Sequence, residues 1–172
     1  MRQAVRMVLY IATLAVLAGA GGGCLTTNSQ DQLQYTFAGY QHANPELIGG
    51  SLSRSLVDYD GNRAAYVRTA PLITTHNIVG GELVERPGGT YAVRLFLDRI
   101  GQDVWLQACS QLGGRPMAIA IDGFHVFDMT IPHRPASYEA ILVEGPWEEG
   151  QARGVATYAA RNYEILYPKI GR

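Results

Sequence analysis

"GGRPMAIAIDGFHVFDMTI", residues 113–131, reads as two short β-strands and the turn that joins them. Met117, Ile119 and Ile121 alternate with Ala118 and Ala120, the period of two that sends successive side chains to opposite sheet faces. One face is bulky and aliphatic. The other offers only methyl groups, so a second element can come close to it. Asp122-Gly123 is a two-residue hairpin signal, because a type I′ turn needs positive φ at both central positions. "FHVFDMTI" then returns as the partner strand.

Working backwards, Gly113-Gly114 and Pro116 mark the end of a helix. The spacing predicts that helix over 99–112. Val104, Trp105, Ala108, Cys109 and Leu112 follow Ile100 at intervals of four, five, eight, nine and twelve, a single apolar stripe. Cys109 lies on the stripe and is expected as a small buried hydrophobe rather than a nucleophile. Before the helix, "NIVGGELVE" (77–85) and "TYAVRLFLD" (90–98) flank "RPGG" (86–89), whose Pro-Gly suits the centre of a type II turn. "AAYVRT" (64–69) is a further strand, and Tyr91, Val93, Leu95 and Leu97 share one face of theirs, with Ala92, Arg94 and Phe96 on the other.

Working forwards, "YEAILVE" (138–144) is a strand after the loop "PHRPAS" (132–137). Gly145-Pro146 is expected to start a second helix with Pro at its first position and Glu148 and Glu149 near its positive end. Ala152, Val155, Ala156, Ala159 and Tyr163 would form its buried face, and "YEILYP" (163–168) a closing strand. The order strand, helix, strand, strand, strand, helix, strand predicts an α+β fold in a ferredoxin-like arrangement, a largely antiparallel sheet with two helices on one face.

Residues 25–63 are less periodic. "LQYTFAGY" (33–40) alternates like a strand, "ELIGGSLSRSL" (46–56) follows neither period, and "DYDGN" (58–62) reads as a turn. The expected organisation is therefore a signal peptide over 1–23, a tether and ambiguous segment over 24–62, and an α+β domain over 63–168.

The leader has a positive n-region, "MRQAVR", and an uncharged apolar stretch, "MVLYIATLAVLAGA" (7–20), too short for a membrane span. Two cleavage sites stand open. "GGGC" places Cys24 like the acceptor cysteine of a bacterial lipoprotein, although Gly21 holds the usual leucine position. Ala18-Gly19-Ala20 offers an ordinary small-x-small site instead. Lipid attachment at Cys24 is the expectation, because the polar tether "TTNSQDQ" (26–32) follows. Removal of 1–23 takes Arg2 and Arg6, leaving 149 residues with twelve basic against fifteen acidic, a net charge of −3. The basic residues are scattered rather than striped, which argues against a nucleic-acid partner. Cys24 and Cys109 are the only cysteines, so no intramolecular disulfide framework is expected.

Several phrases, taken in order, resemble the head of the first periplasmic domain of the SecD/SecDF protein-translocase accessory family. They are "APLITTHNIVGGELVE", "YAVRLFLDRIGQDVW" as strand into helix, "GGRPMAIAIDGFHV" as hairpin, and "ILVEGPWEEGQARGVA" as strand into last helix, together spanning about 64–163. That family also carries several transmembrane helices with polar residues that couple to proton flow. No apolar run after the leader approaches a span here, so the resemblance implies only the head, used to contact exported polypeptides.

No catalytic motif accompanies it. His42, His76, His125 and His133 have no zinc spacing, and the grouping of His125, Asp128 and His133 around a hairpin end is explained by solvent-facing strand and loop positions. The serines lack G-x-S-x-G, and no Lys-Ser/Thr helix start follows the glycines of "GGELVERPGG". Adjacent Glu148 and Glu149 point apart on a helix. No cofactor, metal or catalytic residue is expected, and the one assigned site is lipid attachment at Cys24. Two functional classes remain: a noncatalytic envelope lipoprotein that binds protein, and a small envelope enzyme with an unrecognised site. The first is the expectation, with three partners in view: the membrane through the lipid anchor, an extended or unfolded polypeptide, or another envelope protein. The location expected is the periplasmic or outer side of the cytoplasmic membrane.

Overall fold

The computed structural model describes residues 32–48 and 50–168. The signal peptide, Cys24 and the tether up to residue 31 lie outside them. The elements run β1 (Phe37–Gln41), α1 (Pro45–Ile48), a 3-10 turn (Gly50–Leu52), β2 (Ser53–Val57), β3 (Arg63–Arg68) and β4 (Ile73–Thr74). A second 3-10 turn (Thr75–Asn77) leads to β5 (Ile78–Arg86), β6 (Thr90–Leu97), α2 (Arg99–Leu112), β7 (Pro116–Ile121), β8 (Phe124–Thr130), β9 (Ala140–Glu144) and α3 (Glu149–Leu166). The fold is α+β with antiparallel pairing at every junction of these strands, consistent with the expected ferredoxin-like class.

The strands are hydrogen-bonded in three groups, β4-β1-β7-β8, β5-β6-β9 and β2-β3. β1 lies between β4 and β7, pairing Phe37 with Ile121 through Gln41 with Met117. β1 thus packs within the same unit as the strands that follow residue 63. The compact unit begins at Leu33, because an interior strand cannot be left out of the sheet it completes.

The opening hairpin is as its sequence dictates. Asp122 has φ 51° and Gly123 φ 87°, the paired positive values of a type I′ turn. The Asp122 carboxylate also accepts from the Thr36 amide at 2.7 Å and from the Thr36 hydroxyl at 2.9 Å, which ties the hairpin to the start of β1. The methyl face of β7 is covered by the β2-β3 ribbon: Ala118 and Ala120 are buried with Tyr40, Leu56, Ala65 and Val67. Its aliphatic face enters the main core with Val93, Leu95, Trp105, Ile141 and Val155. Between β5 and β6, Gly88 has φ 87° and the Gly89 amide donates to the Arg86 carbonyl at 3.3 Å, in keeping with the expected turn.

α2 has the predicted bounds. Asp98 caps it, accepting from the Gly101 amide at 2.7 Å, and Trp105, Ala108 and Cys109 are buried. Ile100, in the first turn, is instead exposed.

α3 departs from expectation at both ends. It begins at Glu149, not at Pro146, because Trp147 first turns into the core. Trp147 donates from Nε1 to the Val143 carbonyl at 3.0 Å and stands edge-on to Phe127 at 4.9 Å between ring centroids. Among the described residues no strand follows β9, since the helix continues to Leu166. Tyr163 and Tyr167, one turn apart, contact each other at 4.8 Å, and the Tyr167 amide bonds the Tyr163 carbonyl. Asn162, not Tyr163, completes the buried face. Its side chain bonds both main-chain groups of Gln34, accepting from N–H at 3.1 Å and donating to the carbonyl at 2.6 Å. That clamp holds the approach to β1 against α3.

Candidate functional site

β8 ends one sheet and β9 ends another. Between these two edges lies a cavity of about 740 Å³. Its walls are Asp128 and Thr130 from β8, Ala140, Leu142 and Glu144 from β9, and Arg94 and Phe96 from β6. Met129 and Trp105 lie at its depth, and the proline-bearing loop 132–137 rims it. The volume is that of an ordinary ligand site.

The strand register explains why these residues face it. Leu97 donates to the Glu139 carbonyl at 2.8 Å, which makes that opposed pair a hydrogen-bonded one. Bonded and non-bonded pairs alternate along an antiparallel ladder. Ala140, Leu142 and Glu144, opposite Phe96, Arg94 and Ala92, are therefore the non-bonded set and turn their amides and carbonyls away from β6. On β8, Ile131 donates to the Arg115 carbonyl at 2.9 Å. By the same alternation Asp128 and Thr130 turn theirs away from β7.

The charged side chains of the groove are mostly engaged. Arg94 bonds Glu82 at 2.7 Å, and Glu144 is paired with Arg86. Asp128 Oδ1 receives His125 Nε2 at 3.0 Å and lies 3.1 Å from His42 Nε2. Arg134 and Glu139 make no ion pair among the described residues.

The structure thus brings His125 and Asp128 together, as the sequence grouping had them, but the third member is His42 from the end of β1. His133 sits on the Gly113-Gly114 turn instead, where a Cβ at residue 113 would meet its Nδ1 at 2.6 Å. His76 is remote, edge-on to Tyr167 at 6.5 Å. Among the described residues no three His, Cys, Asp or Glu side chains are placed to hold a metal ion. His42 is 83 positions or more from its neighbours in sequence, so no local spacing could have found it.

The remaining candidates are accounted for by their surroundings. Cys109 is buried, and loss of hydration pushes its thiol above the ordinary value, which disfavours the thiolate. Glu149 is held below the usual carboxylate range by hydrogen bonds from Arg153, at 2.6 Å, and from Tyr91. Tyr91 is raised by the same contact. Glu148 is the residue preceding the helix and makes no side-chain cap.

No protein-family model matches the chain, and no curated protein matches it. Solved structures do. SecDF in its super-membrane-facing form superposes with a TM-score of 0.51 at 17% identity, over 75% of this chain and 19% of that one. SecDF described as a membrane component that enhances protein export gives 0.49 at 18% identity, over 75% of this chain and 63% of that one. SecDF from Thermus thermophilus, a translocon-associated membrane protein, gives 0.47 at 17% identity, covering 78% and 20%. The chain therefore has a SecD-like fold and spans about a fifth of the first of these proteins. Among the described residues no helix is long and apolar enough to cross a membrane.

Proposed function

We propose that the chain is a noncatalytic protein-binding module of the cell envelope, exported, anchored through lipid on Cys24, and used to hold extended or unfolded segments of exported polypeptides. The observation that carries this reading is the groove between β8 and β9 in a SecD-like fold: two strand edges face one cavity whose deep residues are apolar. Extended chain suits such a place because its own amides and carbonyls are unpaired and its side chains alternate between two sides. Folded protein does not, since its main-chain groups are already bonded.

The test is titration of the full chain with one exported protein in two states, reduced and unfolded or oxidised and folded, read by calorimetry. Saturable binding of the unfolded state, and at least tenfold weaker binding of the folded one, is expected. Equal, negligible binding of both refutes the module.

A further inference from the structure

We propose that the groove is a strand acceptor, in which a guest segment pairs by its main chain with the outer edge of β9 at Ala140, Leu142 and Glu144. The inference rests on the binding reading above and adds how the guest is held.

Three observations carry it. First, the register leaves the amides and carbonyls of three alternate β9 residues directed out of the sheet, and none of them bonds another main-chain group of the described residues. Second, the loop that follows β8 does not pair with this edge, and Pro132 and Pro135 within it have no amide to give. Third, the side chains beside the three outward-facing residues offer apolar recognition, the groove's charges without an ion pair among the described residues, Arg134 and Glu139, lying before the strand. Phe96, 38% exposed, and half-buried Leu142 are uncovered, while Arg94, Glu144 and Asp128 are engaged with residues of the protein itself.

The occupant these features fit is an extended, locally uncharged segment with apolar residues at every second position. Its alternate side chains lie on the face of Phe96 and Leu142, and its intervening residues turn to the opposite face, that of buried Ile141 and Val143. Main-chain bonding makes the site tolerant of sequence, and the apolar contact excludes charged stretches.

The same register supplies a selective perturbation. The Leu142 amide points outward, so Leu142→Pro removes one donor from the edge and no bond from the β6–β9 ladder. Leu142→Ala trims the side chain and keeps the donor. The probe is a blocked peptide of about nine residues, a typical strand length, alternating Val and Thr with Lys at each end. With the full chain, L142P is expected to bind it at least about tenfold more weakly than L142A, because a donor is lost and the ring stands against the guest. L142P binding within about twofold of L142A, with its thermal transition kept, overturns strand addition. If L142P fails to fold, peptides N-methylated at alternate positions decide. Weakening confined to one alternate set supports the pairing, and tolerance of both sets overturns it. Wild-type chain that binds the unfolded exported protein, with no effect of L142P or N-methylation, leaves the module standing and removes only the strand mechanism. Wild-type chain that binds neither ligand removes both.

Discussion

A chain beginning at Arg63 should have no cooperative thermal transition, whereas one beginning at Leu33 should keep it. The shorter chain loses Phe37, Tyr40 and Leu56, which are 3%, 7% and 2% exposed. Full burial of such a side chain is worth about 1.5–3 kcal/mol, so these three account for roughly 5–9 kcal/mol. The five-residue register of β1 on β7 goes with them, leaving Ile119, Ala118 and Ala120 without the neighbour they were buried beside. Domain stability is typically about 5–15 kcal/mol in all, so the loss is comparable with the whole. Circular dichroism during heating, with calorimetry as the check on cooperativity, distinguishes the two chains. A cooperative melt of the chain from Arg63, within a few degrees of the longer one, would refute the claim that β1 is essential core.

Asn162→Ala should lower stability by about 2–3 kcal/mol in urea unfolding, since both hydrogen-bonding groups of Gln34 lose their partner. Gly81→Ala should cost about 1–3 kcal/mol by the same measurement, because its Cβ would lie 2.9 Å from the α3 backbone at Ala156. Glu149 has a depressed pKa, so its favourable contribution is present above the ordinary value of 4.5 and is lost as pH falls through the lowered one. Urea midpoints of Glu149→Gln should accordingly depend less on pH below 4.5 than those of the wild type. Cys24→Ser should move the protein from the membrane to the soluble envelope fraction with its melting unchanged, as acyl chains contribute about 0.8 kcal/mol per buried CH₂. A wild-type protein already soluble, with Gly21 at its mature N-terminus, would mean cleavage after Ala20.

What could be read along the chain was whatever neighbouring residues decide among themselves. The alternation of Met117, Ile119 and Ile121, the Asp122-Gly123 turn and the Trp105, Ala108, Cys109 stripe each name a local conformation within a few residues, and each is present in the structure. The separation of Arg94 and Phe96 from the core face of β6 was legible for the same reason. Pairing across long separations left no such trace. That Phe37–Gln41 enters between β4 and β7 depends on partners more than thirty residues away, and so does the clamp of Asn162 on Gln34. The end of the helix shows the same limit, since Tyr163 to Leu166 suits a strand by composition and is helix because Ala159 and Asn162 carry the buried face onward. The groove is the extreme case. Every residue along it has an ordinary local role, and only the tertiary structure sets the outward-facing edge of β9 beside that of β8, because hydrogen-bond parity is fixed by which strand each one pairs with.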